Sequence, residues 1–142
     1  MVMTYMSVWN DDNIINRDEN KMENANKHYN KWIPLTDNKD RVITIGRYED
    51  NYEGVRTIIG GSSNHLMFIT YFPKNISVFN LNTFQYVKYA GLPIDNLIRC
   101  HCFVPKGKTR SKIAEMMLFH QKTGLAIAYN EEDNSLQFHA IR

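Results

Sequence analysis

The 142 residues suffice for one ordinary domain, and 43% hydrophobic content with 12% aromatics supplies a packed core, which excludes wholesale disorder. Seventeen basic residues against 15 acidic ones leave a net charge of +2, far from the excess of a dedicated nucleic-acid binder.

In chain order, the amino end "MVMTYMSVWN" has no basic leading region and carries Thr4, Tyr5 and Ser7 inside its apolar run, so it does not read as a secretory leader. A first strand is expected over 3–9. Residues 10–31, crowded with Asn, Asp, Glu and Lys, keep no steady period and read as a polar insertion with a short helical turn around 19–26. Further strands are expected over 31–35, 42–45, 54–59, 65–72, 76–79, 84–90, 98–104, 114–120, 124–129 and 136–141, rich in Val, Ile, Tyr, Phe and Thr and separated by turn residues such as Gly60-Gly61 and Pro73-Lys74-Asn75. The chain reads as all-β. Its longest near-apolar run, 65–73, is about half of what a membrane helix needs. The expectation is a soluble, cytoplasmic protein with no membrane or nucleic-acid partner.

The spacing of the strands carries a second pattern. Val8-Trp9-Asn10, Val78-Phe79-Asn80 and Ala128-Tyr129-Asn130 each place an aromatic before an Asn, and the last two Asn lie 50 positions apart (130 minus 80). The strand after each Asn has a central aromatic, Trp32, Tyr86 or Phe138, at intervals of 54 and 52. The interval from Asn10 to Asn80 is 70, the excess matching the insertion at 10–30. Four strands per unit follow: half a unit over 1–36, one over 54–90 and one over 98–142, with 42–45 left in a connection. In this reading Phe79 and Tyr86 are packing residues and Asn80 to Thr83 make the turn between them.

On Phe79, Asn82-Thr83, Tyr86, Leu92-Pro93 and Trp32, with Arg99 and His101 opening the next unit, the chain resembles the kelch family of β-propellers over nearly its whole length. It departs from the family's pattern in that Gly60-Gly61 closes a first strand rather than a second. A WD-repeat propeller is the runner-up, lacking here its Trp-Asp and Gly-His signatures. The resemblance implies antiparallel four-stranded blades of an incomplete β-propeller. About 2.5 blades are too few to close a ring, which implies a piece of a longer protein or stacking on other chains, with self-association through exposed blade faces. It also implies a non-enzymatic module that binds a protein partner through loops at the blade ends. An enzyme on an all-β scaffold and an architectural piece without its own ligand stay as alternatives.

The chemistry-bearing motifs read structurally. "IIGGSSNHL" (58–66) lacks the lysine and following helix of a phosphate loop and reads as a hairpin turn. "CHC" (100–102) lacks a second cysteine pair for a metal site. Cys100 and Cys102 are expected to be reduced and buried, with His101 on the opposite strand face. No cofactor, metal or catalytic set is expected. The expected binding loops are the basic run "PKGKTRSK", with Lys106, Lys108, Arg110 and Lys112, on the same end as the 10–30 insertion, and Tyr71, Phe72, Lys74 and Asp95 at the opposite end.

Overall fold

The computed structural model describes residues 2–4, 31–107 and 112–141. The expected insertion at 10–30, with its helical turn, and the strand beyond Thr4 lie outside the described residues. The described part is all-β, without a helix, and it divides into two compact units, Met1–Thr44 and Ile45–Arg142.

In the first unit β1 (Val2–Thr4) pairs antiparallel with β2 (Lys31–Ile33), Val2 opposite Ile33. The strand expected at 42–45 does not form. Val42 makes only an isolated bridge to Thr36, across a turn in which the Asp37 carboxylate accepts the Lys39 and Arg41 amides and the Arg41 Nε–H at 2.7 Å. A side chain that satisfies the turn's own donors competes with strand pairing.

The second unit holds two four-stranded antiparallel meanders. Sheet 1 runs β3 (Asn51–Gly60), β4 (Leu66–Phe72), β5 (Asn75–Asn80) and β6 (Gln85–Gly91). Sheet 2 runs β7 (Cys102–Pro105), β8 (Ile113–His120), β9 (Thr123–Asn130) and β10 (Ser135–Ile141). Each strand pairs with its neighbours in sequence, the order read from the turns. β7 starts at Cys102 rather than 98, because the Ile98 amide turns to the Pro73 carbonyl at 2.8 Å and ties the 92–101 connection to sheet 1.

The two sheets pack face to face. Leu66, Phe68, Ile76 and Val78 from one face of sheet 1 meet Ala114, Met116, Leu118, Leu125, Ile127 and Tyr129 from sheet 2, with Phe68 edge-on to Tyr129 at 5.4 Å. Full burial of each large apolar side chain stabilises the unit by roughly 1.5–3 kcal/mol. The pattern also shows which face is used. Phe79 and Tyr129 are equivalent in the repeat, yet Phe79 points away from the inter-sheet core and Tyr129 into it. The sheets therefore stack facing the same way, the back of sheet 1 on the front of sheet 2.

Burial along the central strands follows from this order. In β4 and β5 residues of both faces are buried, whereas β8 alternates buried and more exposed positions. The front of sheet 1 is covered by the segment before β3: Tyr52 stacks on Tyr71 at 4.7 Å and the Gly46 amide donates to the Tyr86 hydroxyl at 2.9 Å. The back of sheet 2 leaves Ile113, Phe119 and Ile141 exposed, at 45%, 41% and 38%.

Phe79 and Tyr86 are packed edge to face at 5.0 Å, as the sequence suggested. Tyr86 and Phe138 do not occupy equivalent register positions, however. Phe138 stands opposite Ile127, whose counterpart Ser77 stands opposite Tyr89. A bulge between Val78 and Phe79 absorbs one residue of β6, so Tyr86 and Tyr89 reach the same face and stack at 4.8 Å.

β3 and the connection into β7 come together at Gly54. Its φ is +67°, and a Cβ there would lie 1.8 Å from the Arg99 carbonyl oxygen. Gly54→Ala is expected to destabilise the second unit by about 2 kcal/mol or more, because it adds both left-handed strain and a backbone clash. A denaturant midpoint equal to that of the unsubstituted chain would show that this approach is not required.

Candidate functional site

The turns between the first and second and between the third and fourth strands emerge at one end of the second unit. Asn80 and Asn130 do the same work there. The Asn80 Oδ1 accepts the Asn82 and Thr83 amides at 2.8 and 3.1 Å, and the Asn130 Oδ1 accepts the Glu132 amide at 3.0 Å. The repeated aromatic-Asn pair is thus a packing residue followed by the side chain that closes the next turn. Left-handed Asn64 and Asn134, at φ 54° and 55°, complete two of the hairpins.

These turns are joined into one platform. The Glu131 carboxylate accepts the Ser62 amide through one oxygen and the Ser62 hydroxyl through the other, at 2.8 Å, linking the Gly61–Asn64 turn of sheet 1 to the Glu131–Asn134 turn of sheet 2. The Glu131 amide donates to the Lys112 carbonyl and the Leu81 amide to the His65 carbonyl, at 2.9 and 2.8 Å. The "GGSS" stretch is a hairpin turn, as read from the sequence.

The basic run borders this platform. Lys106 pairs with Glu115 at 2.9 Å and Lys112 with Glu132 at 2.8 Å, and the latter hydrogen bond raises the Lys112 pKa above its ordinary value. Lys108 and Arg110 lie outside the described residues. With Glu131, Glu132 and Asp133 adjacent, the described surface presents alternating charges rather than a basic field.

The opposite end brings together three of its four expected residues. The Lys74 ammonium donates to the Ile94 and Asp95 carbonyls at 2.9 and 3.3 Å, which fixes the 92–95 stretch beside β5 and leaves the Asp95 side chain exposed. Phe72 lies under the Arg99 guanidinium, 4.9 Å from ring centroid to cation, and Arg99 reaches Glu53 at 3.6 Å. Tyr71 is not on this surface. It is 1% exposed, stacked on Tyr52, and its hydroxyl accepts a hydrogen bond from Ser77. The period of 2 places it on the front of sheet 1 rather than at the rim.

Cys100 and Cys102 are free but exposed, which corrects the expectation of buried thiols. Alternation turns them outward because His101 between them points inward, where it is 4% exposed.

A cluster that the sequence reading missed covers the front of sheet 1. Arg47 lies 4.2 Å over the Tyr89 ring and donates to Asp50, which also accepts the Tyr52 hydroxyl at 3.0 Å. Its hydrogen bond from Arg47 holds Asp50 below the usual carboxylate pKa, and burial raises the phenol pKa of Tyr52 and Tyr71. Next to it Tyr48 stands fully exposed. Four tyrosines at 52, 71, 86 and 89 have no common period in sequence, since two of them meet only through the β6 bulge.

Among the described residues, no group of three or more His, Cys, Asp or Glu is placed to hold a metal ion, and no helix is long and apolar enough to cross a membrane. The arrangement offers hydrogen bonds and paired charges on rigid turns. Compared with protein-family models, curated proteins and solved structures, the chain matches none.

Glu131→Ala removes both acceptors that tie the two hairpins and is expected to lower stability by about 1 kcal/mol, since the group is partly solvated. It should also increase amide exchange in both turns, while Glu132→Ala should leave the Ser62 amide unchanged.

Proposed function

We propose that this chain is a kelch-like propeller piece, made of successive blades, that acts as a non-enzymatic protein-binding module or scaffold in the cytoplasm. The observation that carries this reading is the same-facing stacking of two four-stranded meanders whose equivalent turns, closed by Asn80 and Asn130, emerge at one end. Stacking of this kind extends by adding units, and it presents the turns of each unit as one composite surface. Two exposed free thiols are in keeping with a reducing compartment.

The surface we assign to a protein partner is the end that carries Ser62, Lys106, Lys112 and Glu131 to Asp133. Replacing Lys106, Lys108, Arg110 and Lys112 with Gln is expected to weaken saturable binding of the partner roughly tenfold, about 1.4 kcal/mol. The measurement is a titration of the immobilised chain against the protein it captures, with cross-links mapped to the turns. Binding unchanged by these four substitutions would remove the surface from consideration.

The architectural reading has one observation in its favour, the exposed Phe119 and Ile141 side by side over Gly124 on the back of sheet 2. Phe119→Ser with Ile141→Ser is expected to reduce concentration-dependent self-association in sedimentation experiments and to leave capture of the partner intact. Loss of both together would favour the architectural role.

A further inference from the structure

Between the sheets, at the end where 92–101 crosses over, two histidines are buried without a full set of partners. His101 is 4% exposed and His120, the last residue of β8, is 6% exposed, and the Nδ1 of each has no hydrogen-bond partner among the described residues. His101 Nε2 lies 2.7 Å from the Thr70 hydroxyl oxygen on β4. That hydroxyl donates onward to the Arg56 carbonyl at 3.4 Å, so its oxygen accepts from Nε2–H of His101. The nitrogen left without a proton is Nδ1. A proton added there would sit on a buried N–H with no acceptor, an arrangement the closed interface does not tolerate.

The charged and titratable groups facing His101 are Arg56 from β3 and His120 from β8, while β4 faces it with Thr70. Neither of the two ionisable neighbours is a carboxylate that would welcome the imidazolium. Burial foremost, with Arg56 and His120 acting in the same sense, lowers the His101 pKa to about 4.

We propose that His101 is a proton-operated latch between the two sheets: neutral, it closes the interface through Thr70, and protonated, it releases that end of the interface. The residues two positions away on the same strand faces, Phe103 and Leu118, are buried in the inter-sheet core and become accessible when the latch opens.

The direction follows from linkage. His101 binds its proton less readily closed than open, so its contribution to closure is complete above about 6.5 and is lost as pH falls toward about 4. For one proton, local opening at pH 5 exceeds that at pH 7.5 by roughly 10- to 30-fold.

The test is amide hydrogen exchange on the full chain at pH 7.5 and 5, corrected for intrinsic rates, with mass-spectrometric readout of peptides from β4 and from residues 98–105. The expected result is the stated increase in opening for these peptides, with peptides from β9 unchanged, and its loss in His101→Gln, whose amide can still donate to Thr70. Equal exchange at both pH values, a uniform increase over all peptides, or the same pH dependence in His101→Gln would each overturn the latch. If His101→Gln does not fold, the His101 ring resonances of the unsubstituted chain decide: titration near 6.5 in the folded protein overturns the proposal, and titration well below it supports it.

Discussion

The packing of the back of sheet 1 on the front of sheet 2 is the interaction on which the second unit depends. A single four-stranded meander has two faces and can leave at most one to water. Phe68, Ile76 and Val78 on one side and Met116, Leu118 and Ile127 on the other are all essentially inaccessible, and they become so only by meeting each other. The turn platform and the buried histidines take their positions from this one contact, while the tyrosines on the opposite face of sheet 1 are covered by the segment before β3.

Polar contacts specify the geometry of that apolar interface rather than drive it. Glu131 fixes one end by holding the Ser62 turn, and the pair Thr70 and His101 sits toward the other. Gly54 allows the inner strand of sheet 1 to approach the connection into β7 more closely than any side chain would permit. Hydrogen bonds of this kind contribute about 1 kcal/mol each, less than burial of one large core residue. Their value lies in selecting one relative orientation from the many that apolar faces alone would accept.

The proposed roles divide along the same lines. The turn end displays polar groups on a framework whose side chains are already locked, which suits recognition of a partner without large rearrangement. The back of sheet 2 keeps an apolar strip whose counterpart in sheet 1 is buried. The histidine end holds two buried imidazoles, each with an Nδ1 that has no hydrogen-bond partner among the described residues.

The sequence by itself determined most of the strand content, apart from 42–45 and the start of β7, together with the strand order within each meander and the turns, because these rest on local rules: alternation, β-branched and aromatic preference, and Asn or Gly where the backbone must reverse. It also marked the near-apolar run that forms β4, whereas the alternation of buried and exposed positions in β8 appears only in the structure. Only the tertiary structure decided which residues of those strands face partners. The β6 bulge shifted Tyr89 into register with Phe138, the inward turn of His101 sent both cysteines to the surface, and the front-face stacking withdrew Tyr71 from the rim. Facing is a property of two sheets meeting across distant parts of the chain, and a bulge or a connection that leaves the strand early changes it without leaving a periodic mark in the residues concerned.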